Sequence, residues 1–397
     1  MESLSCVLLA IAISLLIIKF LNYPHRRKNL PPGPRPWPLI GNLNLLGHHP
    51  HQSLHKLSKT YGKLMHLRLG SSSVVVASSP DMAREFLRTH DRIFASRPPS
   101  VAGKLINNNY HNVLWAPYGD QWIQGRKIYH NEVFSPKRLD SSEYIRVQEM
   151  HIFLSRLHVL SGNPMVLKGH FLSMNLSVIN RIVLGRKYFN ESKDEKEIMT
   201  LEEFQEMLDE FFLLNGVTNV GDWMPWMGFM DLQGYVKRMK ALFKRFDRFN
   251  EHVLEDHRKR MRAEGEDFVA KDVVDVLLKL ADDPNLQVKL NSEDVKGLTQ
   301  DLIIGSTNTT TTTMEWAMSE LIKKPHLIEK ATEELDRVIG KTMRLLMANM
   351  LQGFNWKLPE NMRAEDVDME ELYGLGTRRK FPLVIVAEPR LRDHMYN

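Results

Sequence analysis

The chain has 397 residues, 43% of them apolar and 25% charged, enough to bury one large core or two smaller ones and too apolar for wholesale disorder. Its net charge of +5 is spread over acidic as well as basic stretches, and no basic block is interleaved with aromatics, which argues against nucleic-acid binding. A single cysteine, Cys6, excludes an intramolecular disulfide and fits a reducing, cytosolic environment.

From Leu4 to Ile18 the chain is apolar apart from Ser5 and Ser14, and Phe20 and Leu21 extend the run past Lys19. Residues 1–21 are therefore expected to form a single-pass transmembrane anchor. A secretory signal is the rival reading, but Glu2 stands where a basic cluster would precede the apolar run, and no small-residue cleavage pattern follows. Lys19, His25, Arg26, Arg27 and Lys28 come after it, which by the positive-inside rule leaves the main domain in the cytosol. Residues 22–38 read as a basic and proline-rich hinge. Its LPPGPRPWP run, Leu30 to Pro38, has φ fixed at each proline and favours an extended, semi-rigid spacer. His48, His49, His51 and His55 crowd the next stretch, but Pro50 breaks helical spacing and no acidic or thiolate partner is near, so no metal site is expected.

Lys63 to Leu69 and Ser73 to Ala77 are short strand-like runs separated by Gly70, a hairpin signal. Beyond them the patterning is mostly helical. Trp223, Met224, Pro225, Trp226, Met227, Phe229 and Met230 form an aromatic, methionine-rich loop that suits a membrane interface, an apolar entrance or a packed corner. Val236, Met239, Leu242, Phe243, Phe246, Phe249 and Val253 recur at helical spacing with cationic residues on the other faces, a stripe that predicts a core-facing helix.

A long helix is expected over Ser292 to Lys324. Its centre runs from Gly305 through Thr307, Asn308 and five consecutive threonines, Thr309 to Thr313. Threonine is worse than alanine in a helix by up to about 0.7 kcal/mol per position, and its hydroxyl can bond back to a carbonyl and bend the helix. Two readings stand level on physics alone: a locally weakened, widened helix that presents a hydroxyl to a small ligand, or a tolerant packed crossing.

These pieces together resemble a cytochrome P450, a heme-thiolate monooxygenase of the plant microsomal type. The likeness rests on the anchor, LPPGPRPWP, FASRPP (Phe94 to Pro99), WAPYGDQWIQGR (Trp115 to Arg126), the threonine helix, EWAMSELIKKP (Glu315 to Pro325) and FPLVIVAEPRL (Phe381 to Leu391), in that order. Plant flavonoid hydroxylases and enzymes forming the homoterpene trimethyltridecatetraene read most like this chain. The resemblance implies a mainly α fold with small β-sheets after the N-terminal transmembrane helix, the domain spanning residues 39–397. It also implies heme, electrons from NADPH through a membrane reductase, a small lipophilic plant metabolite as substrate, and location on the endoplasmic reticulum membrane. In the family the Trp and Arg of a W-x-x-x-R helix hold the heme propionates, which falls on Trp122 and Arg126. The oxygen-activating helix falls on Gly305 to Thr310, with Thr309 as the alcohol.

Three departures accompany the likeness. Asn308 stands at the acid position, and an amide does not exchange a proton near neutral pH as a carboxylate does. Lys341-Thr342-Met343-Arg344 keeps the arginine of the family's E-x-x-R brace but puts a lysine in place of its acid, turning attraction into repulsion. Leu345 then runs directly into a segment resembling the helix that follows the cysteine loop, so family segments are missing between 340 and 352. The axial cysteine goes with them, because Cys6 lies in the anchor. Iron without a thiolate loses the electron donation that drives oxygen-bond cleavage. The chain is accordingly expected to be an inactive truncated member, whether a splice variant, a decaying gene copy or an incomplete gene model. Two glycosylation sequons, at Asn175 and Asn190, would stay unmodified in the cytosol.

Overall fold

The computed structural model describes Ser14 and residues 29–188, 198–337 and 343–396. The expected anchor, Cys6 within it, lies outside the described residues apart from Ser14, as do Lys341 and Thr342 of the brace junction. Among the described residues no helix is long and apolar enough to cross a membrane. The chain forms two compact units, one of residues 1–95 with 219–232 and one of residues 96–218 with 233–397.

The first unit is built on helix α1 (Pro50–Tyr61) and a hairpin of β1 (Leu64–Leu69) and β2 (Ser72–Ala77). The strands pair antiparallel from Leu64 opposite Ala77 to Leu69 opposite Ser72, as the two apolar runs around Gly70 predict. Alternation along β1 buries Met65, Leu67 and Leu69. Leu46, Leu67 and Leu69 form a small core with Trp223 against it. The proline-rich run lies along β1: the His66 amide donates to the Pro32 carbonyl at 2.8 Å. A Cβ on Gly33 would come within 1.9 Å of the His66 carbonyl oxygen, so the pairing depends on that glycine.

The second unit is mainly helical. Its labelled helices are α2 (Asp120–Ile128), α3 (Glu143–Val159), α4 (Leu167–Val183), α5 (Leu201–Gly216), α6 (Tyr235–Glu264), α7 (Val273–Ala281), α8 (Ser292–Lys323), α9 (Pro325–Arg337) and α10 (Met343–Gly353). β3 (Pro164–Val166), β7 (Val384–Pro389) and β4 (Phe354–Lys357) form a three-stranded antiparallel sheet in that order. β5 (Glu371–Leu372) and β6 (Arg378–Arg379) make a second, two-stranded one.

Helix α8 is the spine of this unit, packed most extensively along α4 and also against α6, α7 and α9. Asn291 and Asp294 cap it reciprocally, each side chain accepting the other's backbone amide at 2.9 and 2.8 Å. The apolar stripe read in α6 is core: Met239, Leu242, Phe246, Phe249 and Val253 are all buried. They join Phe204, Met207 and Phe211 of α5 in one cluster. A second cluster gathers Phe153 and Leu157 of α3, Phe171 of α4, Met314 and Met318 of α8, and Met350 of α10. The EWAMSEL segment ties α8 to the C-terminal strands. Buried Glu315 accepts the Leu383 amide at 3.0 Å, and the Trp316 indole donates to the Thr377 carbonyl at 3.1 Å.

Asn175, the first sequon asparagine, is buried and donates to Thr311 Oγ1 at 3.0 Å, so it is unavailable for modification in the folded chain. Asn190 lies outside the described residues.

Where α6 meets α7, four charged side chains converge. His257 Nε2 is 3.3 Å from Asp272, the N-cap of α7, and its Nδ1 donates to the Val253 carbonyl at 2.7 Å. Arg260 bonds both Asp272 and Asp275. Burial opposes the charge on His257, but the hydrogen bond and attraction of Asp272 outweigh it and hold the imidazole above its ordinary value. A raised imidazole stabilises the fold fully below its unfolded value of about 6.5, and that contribution is lost as pH rises through the folded value. Urea unfolding from pH 6 to 9 should therefore show a wild-type stability decline that His257→Gln lacks, with the variant less stable at pH 6 by about 3 kcal/mol, the scale for breaking a buried pair.

Candidate functional site

Trp122 and Arg126 share one face of α2, as four-residue spacing requires. The guanidinium lies 5.5 Å from the centre of the indole, whose other neighbour is the Tyr118 ring, also at 5.5 Å. Trp122 is half-buried, and its Nε1 donates to the Val113 carbonyl at 3.2 Å, while Arg126 is exposed.

The expected oxygen-face residues divide between two sides of α8. Gly305 and Thr309 are exposed, and a Cβ built on Gly305 meets nothing within 4 Å. Asn308 faces the packed side and is buried beside Thr307 and Thr311. The helix runs unbroken through all five threonines. Each of five threonine hydroxyls returns to the carbonyl four residues earlier, from Thr307 to Ile303 at 2.6 Å through Thr313 to Thr309 at 2.8 Å. Thr309 thus gives its proton to Gly305 at 2.6 Å.

The two motifs meet through a residue that sequence reading passed over. The Val113 carbonyl takes the Trp122 indole, and the Val113 amide donates at 2.7 Å to Asp301, one turn before Gly305 on α8. Asp301 also accepts the Leu114 amide at 3.2 Å and the Asn112 side chain at 2.9 Å. Burial pushes its carboxyl up to about 7, against the three hydrogen bonds that favour the charged form. Burial, and then the charge of Asp301, also raise Tyr129 well above its usual value.

On another side of α8, Ser306 and Thr310 open onto a cavity of about 1150 Å³, whose apolar wall includes Met150, Met174, Val178 and Leu346. The His257, Asp272 and Asp275 atoms lie close enough together to hold a metal ion. The Arg260 guanidinium already bonds both carboxylates there, so the charge is met without one.

A family model described as Cytochrome P450 matches residues 31–367, most of the chain. The chain belongs to the cytochrome P450 family. This P450 is 34% identical to trimethyltridecatetraene synthase of Zea mays, over 99% of the chain and 95% of that protein. It is 33% identical to dimethylnonatriene synthase of Zea mays, over 93% of the chain and 92% of the relative. It is also 37% identical to flavonoid 3'-monooxygenase of Petunia hybrida, over 86% of the chain but 66% of that protein. The first alignment is 529 positions long, 132 more than the 397 residues of the chain, so at least 132 of its positions lie opposite no residue here.

Membership implies heme, and the residues present do not fit a heme-thiolate. The only cysteine is Cys6, so residues 7–397 offer no thiolate. The Trp122 indole donates to the Val113 backbone carbonyl.

The threonines should separate on substitution. Thr311→Val strips Asn175 of a buried acceptor and is expected to cost about 1–3 kcal/mol, whereas Thr309→Ala on the exposed face should stay within about 0.5 kcal/mol. Chemical denaturation of the two variants beside wild type measures both.

Proposed function

We propose that this chain is a truncated cytochrome P450 that no longer carries out its family's reaction. Its intact relatives would insert one oxygen atom from dioxygen into a small lipophilic plant metabolite, with NADPH electrons delivered by a membrane reductase. In this reading residues 1–21 anchor the chain to the endoplasmic reticulum membrane, residues 22–38 link the anchor to the domain, and the P450 domain, residues 39–397, faces the cytosol. Trp122, Arg126, Gly305, Asn308 and Thr309 are then the remains of the cofactor and oxygen sites. The missing segment falls between 340 and 352 and would have carried the ligand.

One observation carries the proposal: no cysteine follows Cys6. A histidine or methionine ligand would not give iron the electron donation that oxygen-bond cleavage requires. The length of the maize alignment supports the same reading, since so many of its positions have no counterpart in this chain. The product would be a membrane-bound, non-catalytic chain, and its transcript read across the codons for residues 340–352 separates exon skipping from genomic loss.

Purified protein, reduced and exposed to carbon monoxide in the presence of added heme, should lack the long-wavelength Soret band of a thiolate-ligated carbonyl heme. Appearance of that band would overturn the proposal.

A further inference from the structure

Strand β2 is one edge of the two-stranded sheet it forms with β1. Which of its backbone groups point outward follows from the register, because antiparallel pairs alternate between those that exchange hydrogen bonds and those that do not. The Ser78 amide donates to the Lys63 carbonyl at 2.8 Å, just past the end of the strands. Counting from that bonded pair, Met65 with Val76, Leu67 with Val74 and Leu69 with Ser72 are bonded as well. The residues between them on β1 turn their backbone groups the other way, as the His66 amide does in donating to Pro32. Opposite these, Ser73, Val75 and Ala77 point theirs away from β1. Among the described residues no hydrogen bond reaches the amide or carbonyl of any of the three.

The two edges of this sheet are in different states. Residues 32–42 cover the outer edge of β1: the Pro32 carbonyl takes the His66 amide at 2.8 Å, and Asn42 Oδ1 takes the Arg68 amide at 2.9 Å. The Ile40 carbonyl takes the Gly70 amide at 3.0 Å just beyond them. Among the described residues nothing bonds β2 in this way. An open edge is ordinarily blunted by a lysine, a proline or a bulge. β2 reads Ser-Ser-Val-Val-Val-Ala and pairs residue for residue with β1, so it has none of these. Val75, at its centre, is 39% exposed. A regular, uncharged strand with outward amides and carbonyls unmet is complementary to another extended backbone.

We propose that β2 pairs with β2 of a second copy of this chain, antiparallel about a two-fold axis at Val75. The outward residues Ser73 and Ala77 are evenly spaced about Val75. Two-fold pairing therefore sets Val75 against its counterpart and Ser73 against Ala77 of the other copy. All of these pairs are then of the bonded kind, and every outward amide and carbonyl of the strand is met. The residues brought opposite one another are serine, valine and alanine, so self-pairing opposes no like charges, as it would in a charged strand. Because residues 32–42 cover the other edge, this sheet offers one open strand per copy. The contact is isologous and closes at two copies, with no edge left to extend it into a filament.

The pairing needs neither heme nor thiolate, so its failure leaves the function proposed above untouched. In the detergent-solubilised full-length chain, amide exchange resolved to single residues is compared between dilute and concentrated protein, with sedimentation run in parallel. The chain should pass from monomer to dimer on concentration. The Ser73, Val75 and Ala77 amides should then slow by about tenfold, the factor of one hydrogen bond. Val74 and Val76, already bonded to β1, should be slow at both concentrations. Val75→Lys and Val75→Glu put like charges at the axis and should each weaken dimerisation by about fivefold, and an equimolar mixture of the two should restore it. Val75→Pro removes an amide that bonds nothing in β1 and should weaken dimerisation by about tenfold. A chain that stays monomeric, a dimer in which the three outward amides remain fast, or assembly beyond two copies would each overturn the proposal. So would charged variants that dimerise as tightly as wild type, or a mixture no tighter than either alone. The wild-type exchange pattern decides the matter even where a variant fails to fold.

Discussion

Helix α8 must be packed on several sides while carrying polar residues along its length, and the rest of the second unit depends on how that conflict is resolved. Apolar burial alone does not do it, because Thr307, Asn308, Thr311, Glu315 and Ser319 are all buried on this helix. Their polar groups lose water and must be satisfied inside. The threonines and Ser319 satisfy themselves by bonding back to carbonyls four residues earlier. Glu315 is satisfied by a distant backbone amide, which brings the C-terminal strands onto the helix. The same requirement at Asp301 brings in the loop ahead of α2. Polar residues on α8 thus select which segments dock, and the apolar clusters fill the space between them.

Much of this could be read from the sequence where the signal is local. The seven-residue stripe from Val236 to Val253 predicts a buried helical face, and the structure has one. The runs flanking Gly70 predict the hairpin, and the spacing of Trp122 and Arg126 places them side by side. The threonine run exposes the limit of such reading. Propensity marks each threonine as unfavourable, but the hydroxyls of Thr309, Thr310, Thr311 and Thr313 each find a carbonyl on the preceding turn and the helix stays continuous. Asp301 and the His257 cluster were missed for another reason. Asp301 meets partners 187 to 189 residues away in the chain, and His257 meets Asp272 across an interhelical turn, so no window of sequence contains either arrangement.

Family membership and catalytic competence are separate properties of this molecule. Residues 31–367 match the P450 model, and the helices that carry the Trp122 pair and the threonine run are in place. A scaffold of this size keeps its topology through distributed burial. A heme-thiolate depends instead on one sulfur atom, and the sole cysteine of this chain is Cys6. A fold rests on hundreds of positions together, whereas thiolate ligation of iron rests on a single one.

The 188-residue separation between Val113 and Asp301 also orders events during folding. Joining segments so far apart carries a loop-closure entropy that grows only slowly with length but must be met before any contact rewards it. Helix α8 has to exist before Asp301 can receive the amides, and during synthesis the ribosome completes that helix long after residues 106–115 have emerged. The loop therefore waits undocked from Asp301 while the intervening 188 residues are made, and settles against it only when that helix arrives.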